Sequence, residues 1–277
     1  MSDSLPPLRE VIARYGLGAK KSLGQHFLLD LNLTRKIARA AGVSPDERVL
    51  EIGPGPGGLT RGLLEAGAHV VAVERDARCL AALEELGEVF PGKLEIVEAD
   101  ALAVHERALL GPGPLKICAN LPYNISTELL VKWLRANHSA DGPLWNIMAL
   151  MFQKEVADRI LAAPGSKTYG RLSVIAQAAS RPRRAFDLPA RAFTPPPKVD
   201  STVVVFEPAR ERLIDIGALE RLTQAAFSQR RKMLRSSLKP LWGDTVEARL
   251  AAACVAPTKR AEDIPVDRYV ALAEAAA

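Results

Sequence analysis

The chain has 277 residues, 48% of them hydrophobic, with a formal net charge of +5 and three cysteines. That length allows one large domain, or a large domain with a small companion. No apolar run reaches the ~18 residues of a membrane span. The N-terminus, Met1-Ser2-Asp3-Ser4-Leu5-Pro6-Pro7, shows no basic segment followed by an apolar core, so no secretory signal is expected. Cys79, Cys118 and Cys254 are widely spaced and odd in number, which argues against a disulfide framework or a metal cluster and fits a reducing cytoplasm.

The first periodic segment, Asp30 to Ala41, reads as an amphipathic helix capped by Asp30 and ending near Gly42. From about Ser44 to Phe152, short apolar runs alternate with helical stretches. Strands are predicted over 48–52, 68–74, 94–99, 115–119 and 145–152, with helices between them that include Ala77–Leu86 and Thr127–Arg135. Such alternation predicts an α/β fold with a mostly parallel sheet covered on both faces. Ligands on sheets of this kind bind at the C-terminal ends of the strands. Glu51, Glu74, Asp100 and Asn120 all fall there.

The first of these strands runs into a glycine-rich turn, Glu51-Ile52-Gly53-Pro54-Gly55-Pro56-Gly57-Gly58, followed by a helix over Leu59–Ala66. Glycines let a backbone approach a ligand closely and take up positive φ. A dinucleotide site also places glycines after its first strand, but with the spacing G-x-G-x-x-G. Here the spacing is Glu-x-Gly-x-Gly-x-Gly, and Glu51 would repel a pyrophosphate. It suits a cation such as a sulfonium or ammonium group. Glu74, at the end of the second strand, is placed to accept hydrogen bonds from ribose hydroxyls. Asp100, ending the third, can accept from an adenine amino group. One strand-end acid alone also reads as a helix cap.

The fourth strand ends in Asn120-Leu121-Pro122-Tyr123. This tetrapeptide combines a planar amide, a carbonyl whose direction is fixed by the following proline, and an aromatic ring. The set suits an exocyclic amine on a flat base. The Asn120 amide oxygen and the Leu121 carbonyl can each accept one N–H, and Tyr123 can stack on the ring.

After the fifth strand, helices are predicted over Gln153–Ala163 and Arg171–Ser180, then strands over Arg183–Leu188 and Thr202–Glu207 as an antiparallel edge pair. The proline run Thr194–Lys198 reads as a stiff loop between them. From Pro208 onward only helical periodicity appears, over Ile216–Phe227, Lys232–Leu238, Thr245–Ala253 and Val266–Glu274. The expected organisation is a sheet domain over residues 1–207 and a small all-helical domain over 208–277. Positive charge concentrates in two places. Arg230, Arg231, Lys232, Arg235 and Lys239 stand together without an acid, and five basic residues against Asp187 alone fall between Arg181 and Lys198. Such clusters suit phosphate contacts.

Together these motifs carry a family resemblance. The chain resembles S-adenosylmethionine-dependent rRNA adenine N6,N6-dimethyltransferases of the small-subunit (16S) type from about Lys20 to the C-terminus. The matching stretches are Lys21-Ser22-Leu23-Gly24-Gln25-His26-Phe27-Leu28, Glu51 to Gly57, Asn120 to Tyr123, Phe193-Thr194-Pro195-Pro196-Pro197-Lys198-Val199-Asp200-Ser201, and Phe227-Ser228-Gln229-Arg230-Arg231-Lys232. The resemblance implies a Rossmann-like methyltransferase sheet with a helical C-terminal domain, and S-adenosyl-L-methionine as methyl donor. It implies a donor site made of Gln25, His26, Leu28, Glu51, Gly53, Gly55, Glu74, Asp100, Ala101 and Asn120, the segment around Gln25 and His26 covering the donor. Asn120, Leu121, Pro122, Tyr123 and Phe193 would form the catalytic set, with Phe193 on the face of the base opposite Tyr123. Arg230, Arg231, Lys232 and Arg235 would bind RNA. The implied partner is 16S rRNA in the immature small subunit, met by a monomeric cytoplasmic chain with neither membrane nor metal.

Two other readings stay open at this point. A dimethyltransferase of large-subunit 23S rRNA shares the donor site and Asn-x-Pro-Tyr, although the full Phe193–Ser201 stretch and the Arg-Arg-Lys tail fit the small-subunit branch. Relatives of this fold also serve as mitochondrial transcription factors that contact DNA without catalysis.

Overall fold

The structure, a computed structural model, describes residues 5–19, 24–111, 113–211, 213, 215–229 and 231–275. The chain opens with helix α1 (Leu8–Arg14), strand β1 (Phe27–Leu28), helix α2 (Leu31–Ala40), strand β2 (Arg48–Ile52), helix α3 (Gly58–Glu65) and strand β3 (His69–Glu74). A 3₁₀ turn, Ala77–Cys79, leads into α4 (Leu80–Val89), followed by β4 (Leu94–Glu98), α5 (Glu106–Leu110), β5 (Leu115–Asn120), α6 (Ser126–Asn137) and β6 (Trp145–Gln153). Next come α7 (Lys154–Ile160), α8 (Arg171–Ala179), β7 (Ser180–Leu188), β8 (Phe193–Thr194) and β9 (Ser201–Pro208). Helices complete the chain: α9 (Ile216–Ser228), α10 (Leu234–Ser237), α11 (Lys239–Trp242), α12 (Val246–Ala252) and α13 (Val266–Glu274).

The chain divides into two compact units. One comprises Met1–Leu130, Pro143–Lys154 and Arg184–Phe206; the other comprises Val131–Gly142, Glu155–Arg183 and Glu207–Ala277.

The first unit is organised by a seven-stranded sheet of order β4-β3-β2-β5-β6-β9-β7. The β4–β3, β3–β2, β2–β5 and β5–β6 pairs are parallel, and β6–β9 is antiparallel. The chain leaves β2 on one side to make β3 and β4, then returns to place β5 on the other. The strand order therefore reverses at β2, and the crevice beyond the C-terminal ends of β2 and β5 is where such a sheet accepts a ligand.

Alternation along the strands explains why the sheet is covered twice. Val49, Val70, Ala72, Cys118, Ala149, Met151, Val203 and Val205 share one face, in one core cluster with Leu59, Leu63 and Leu64 of α3. Residues of opposite parity, among them Leu50, Ile117, Leu150, Val204 and Phe206, are just as fully buried. Runs buried on both faces are what a parallel sheet requires. The last strand in the order, β7, carries Pro182 and Arg181, Arg183 and Arg184. A proline cannot donate to a ladder and basic side chains resist pairing, so both suit an edge. Helix α2 begins as its sequence predicts, the Asp30 carboxylate accepting from Asn32 N at 2.8 Å.

In the second unit, the Phe227 ring lies between Tyr169 and Tyr269, with centroid separations of 6.2 and 5.8 Å. The two phenols, both buried, donate to the Ile264 and Ala261 carbonyls at 2.8 Å. Each tyrosine so contributes apolar area while its one polar atom is satisfied.

Leu63 is fully buried on α3, directly after the glycine turn. Leu63→Ala should lower the stability of the first unit by about 2–5 kcal/mol, through lost transfer free energy and a residual cavity. Urea unfolding followed by circular dichroism measures it; a change well below 1 kcal/mol would show that α3 does not anchor the sheet face.

Candidate active site

The C-terminal ends of β2, β3 and β5, together with the turn after β4 and the segment around β1, enclose one cleft. Gln25, His26, Leu28, Glu51, Gly53, Gly55, Glu74, Asp100, Ala101 and Asn120 all line it, as do Leu121, Pro122 and Tyr123.

The glycine turn is shaped by what sits on it. Gly55 has φ +55°, and a Cβ there would lie 3.0 Å from the Phe27 ring. A Cβ on Gly58 would come within 2.4 Å of the Leu28 carbonyl oxygen. Strand β1 therefore packs directly on glycine backbone, and any side chain at 58 would push it away. Strand β1 is held from its other side by β8, with Phe27 opposite Thr194 and Leu28 opposite Phe193.

The acids at the strand ends have different environments. Glu51 is 1% exposed, and its Oε2 has no hydrogen-bond partner. Burial, with a smaller push from the Glu74 charge, drives its carboxyl up to about 8. Glu74 is also buried, which raises its carboxyl, but three backbone N–H groups oppose the shift. Gly55 N donates to its Oε2 at 2.9 Å, and Arg75 N and Asp76 N to its Oε1 at 2.8 and 2.7 Å. The carboxylate that faces the cleft thus also fastens the glycine turn. Asp100 is more open: it accepts from Leu102 N at 3.0 Å and pairs with Arg75 at 3.0 Å.

Around the tetrapeptide the contacts fix directions. Asn120 Nδ2 donates to the His26 carbonyl at 2.8 Å. That oxygen can only accept, so the amide NH₂ must face it and Oδ1 is turned the other way. His26 Nδ1 lies 2.8 Å from the Pro195 carbonyl, which assigns the proton to Nδ1 by the same reasoning. The His26 and Tyr123 rings stack at 5.4 Å with planes 29° apart. Pro122 O accepts from Ile125 N at 3.2 Å, which closes the turn that leads into α6.

Phe193 does not reach this wall. It is 2% exposed and belongs to the core cluster that also holds Leu28 of β1. Arg231, Lys232 and Arg235 are exposed on the second unit, whereas Arg230 lies outside the described residues, with Lys21, Ser22 and Leu23. Part of the second basic run is paired within the protein: Arg181 with Glu207 and Arg184 with Asp187, each at 2.7 Å.

Sequence reading missed Asp76. It is 5% exposed, accepts from Gln25 Nε2 at 3.1 Å, and is gripped by the Arg78 guanidinium, which holds its carboxyl down to about 2. It ties the segment before β1 to the turn after β3. A further acid two residues beyond Glu74 was the available signal, but it reads equally as the cap of the following turn, which it also is.

Glu51 gives a sign-definite pH effect. Its carboxyl is raised in the folded chain, so between about pH 4.5 and 8 the folded state holds a proton that the unfolded state has lost. Stability therefore falls as pH rises through that window. Glu51→Gln should leave the melting temperature nearly unchanged at pH 4 and raise it increasingly from pH 5 to 8. A calorimetric difference that is flat across this range would show that Glu51 is ionised in the free protein.

A family model described as Ribosomal RNA adenine dimethylase matches residues 16–277. The Ribosomal RNA small subunit methyltransferase A of Xanthobacter autotrophicus is 57% identical over 274 residues, covering 98% of this chain and 94% of the relative. The protein of the same name from Rhizobium meliloti is 56% identical over 273 residues, with 98% and 97% covered. Among solved structures, a dimethyladenosine transferase from Plasmodium falciparum superposes with a TM-score of 0.75 at 26% identity, covering 89% of this chain and 96% of that one. The 23S rRNA methyltransferase ErmE gives 0.68 at 27% identity, with 90% and 98% covered. With the glycine turn, the strand-end acids and Asn-Leu-Pro-Tyr gathered on one cleft, and a family model spanning nearly the whole sequence, the chain belongs to the ribosomal RNA adenine dimethylases.

Proposed function

We propose that this dimethylase takes its methyl groups from S-adenosyl-L-methionine and places two on N6 of adenosines in a loop of 16S rRNA in the immature small subunit. The relatives from Xanthobacter and Rhizobium support the small-subunit assignment. The residues of the cleft fit the donor. Glu51 presents an orphaned buried oxygen that a cationic group would satisfy, and Glu74 presents a carboxylate to hydroxyls. When bound, S-adenosylmethionine supplies a methyl carried on a sulfonium.

The observation that carries the catalytic reading is the direction of the Asn120 amide. Adenine N6 is a weak nucleophile because its lone pair is delocalised into the ring. Asn120 Oδ1 accepts one N–H and the Leu121 carbonyl the other, which favours the pyramidal nitrogen needed in the transition state. Since His26 O already holds the amide NH₂, Asn120 need not reorganise to accept. Tyr123 offers its ring to the base, which must leave its own stack to enter the cleft. The methylated nitrogen is acidic enough to release its proton to water, so no dedicated base is assigned. We assign Phe193 the part of a core anchor under β1. Arg231, Lys232 and Arg235 contact phosphates, with Arg230 proposed alongside them. The chain works as a cytoplasmic monomer in this reading. No helix among the described residues is long and apolar enough to cross a membrane, and no group of three or more potential metal ligands occurs among them.

Asn120→Ala should lower single-turnover methyl transfer to unmodified small subunits by roughly 100-fold or more. RNA affinity should change little, because phosphate contacts supply most of it. Transfer of labelled methyl at a near-wild-type rate would remove Asn120 from the mechanism.

Reversing Arg231 and Lys232 to Glu should weaken RNA binding and flatten the log–log salt slope by about 2, roughly one for each phosphate no longer neutralised. Donor affinity measured by calorimetry should stay constant. An unchanged slope would assign these side chains to solvent alone.

A further inference from the structure

The phenol of Tyr123 is held by a residue outside the Asn-Leu-Pro-Tyr motif. Tyr123 Oη and Ser201 Oγ are 2.7 Å apart, across 78 positions of sequence. Ser201 is the first residue of β9 and is fully buried. Its backbone is fixed from two directions. It sits opposite Gln153 in the β6–β9 ladder, and the preceding residue, Asp200, accepts from Lys154 N through its carbonyl and from Ala190 N through Oδ1, both at 2.9 Å. A hydroxyl mounted there is a rigid post.

Tyr123 is mounted otherwise. It stands in the turn between β5 and α6, and its ring would be free to rotate about two side-chain bonds without further restraint. His26 restrains the ring face by stacking, and Ser201 restrains the phenol end. Stacking on one face still allows the ring to slide; a hydrogen bond at the far end stops the slide and sets the plane. Offset stacking on a base depends on that plane, and positioning errors of 10–20° are enough to spoil a productive geometry.

We propose that Ser201 is a positioning residue for methyl transfer, its hydroxyl holding the Tyr123 ring in the plane against which the target adenine stacks. The proposal rests on the adenine-methylating reading above. It also gives the end of the Phe193–Ser201 stretch a task distinct from that of Pro195, whose carbonyl orients His26.

The test is a double-mutant cycle of Ser201→Ala and Tyr123→Phe, which remove the same hydrogen bond from opposite ends while keeping the ring. On unmodified small subunits, each single variant should lower kcat by about tenfold, leave KM for subunits and donor within about twofold, and melt close to wild type. The double variant should be no slower than either single one. Additive losses, an unchanged kcat, or a loss confined to KM would overturn the proposal. A second readout needs no turnover. Alkaline titration of tyrosyl absorbance, taken as the difference between proteins with and without the Tyr123 phenol, reports that group alone. Burial already pushes the Tyr123 phenol up, while the Ser201 hydroxyl steadies its ionised form. Ser201→Ala should therefore move the midpoint higher, and an unmoved midpoint would show that no such bond exists in solution. A shifted midpoint together with a wild-type protein that transfers no methyl would leave the bond standing and defeat the functional reading instead.

Discussion

The cleft depends on a sheet of two residues per strand. Phe27–Leu28 and Phe193–Thr194 pair across the top of the glycine turn, and the contacts that orient Asn120 and His26 come from residues flanking them. The Phe27 ring covers Gly55, the Leu28 carbonyl covers Gly58, the carbonyl of His26 just before the strand turns Asn120, and Pro195 just after its partner orients His26. So short a ladder contributes few hydrogen bonds. Burial holds it: Phe27, Leu28 and Phe193 are all below 9% exposed, and each such side chain is worth roughly 1.5–3 kcal/mol. Hydrophobic packing beneath the pair thus sets the direction of an amide above it.

Three carboxylates at equivalent strand ends have been divided among three tasks by their surroundings. Glu51 has lost its water and its Oε2 has no partner, so burial raises its carboxyl, and a cation brought against it would favour the ionised form. Glu74 has also lost water, but its backbone partners let it remain an acceptor while it braces the turn. Asp100 keeps solvent and an arginine. All three lie near the C-terminal ends of neighbouring parallel strands, and the local supply of N–H groups and solvent distinguishes them.

Much of this was legible in the sequence for identifiable reasons. The strands of the parallel sheet are apolar, rich in valine and isoleucine, and bounded by polar or glycine breaks, so 48–52 was read to the residue and the next four to within one or two positions. The site residues at their ends followed from the geometry of any such sheet. What stayed hidden lacks a local signal. Strand β1 and its partner are too short for any periodicity. Helices α1, at seven residues, and α5, at five, offer little more than one or two turns of pattern. Strand β7 began three residues earlier than read, because Pro182 marks a break in sequence but is tolerated at a sheet edge. Asp76 and Ser201 act through partners 51 and 78 positions away, and Phe193 lies in the core for the same reason that its neighbours form a strand. Contacts at such separations are settled by tertiary packing.

The pairing of β1 with β8 also imposes an order on the chain's own birth. Synthesis runs from the N-terminus, so Phe27 and Leu28 emerge with no partner, and the strands that carry Glu51, Glu74 and Asn120 can assemble beneath them first. Pairing closes only when Phe193 and Thr194 have been added, and closing so long a loop is slow relative to local structure. The floor of the cleft can thus form before its roof is fastened.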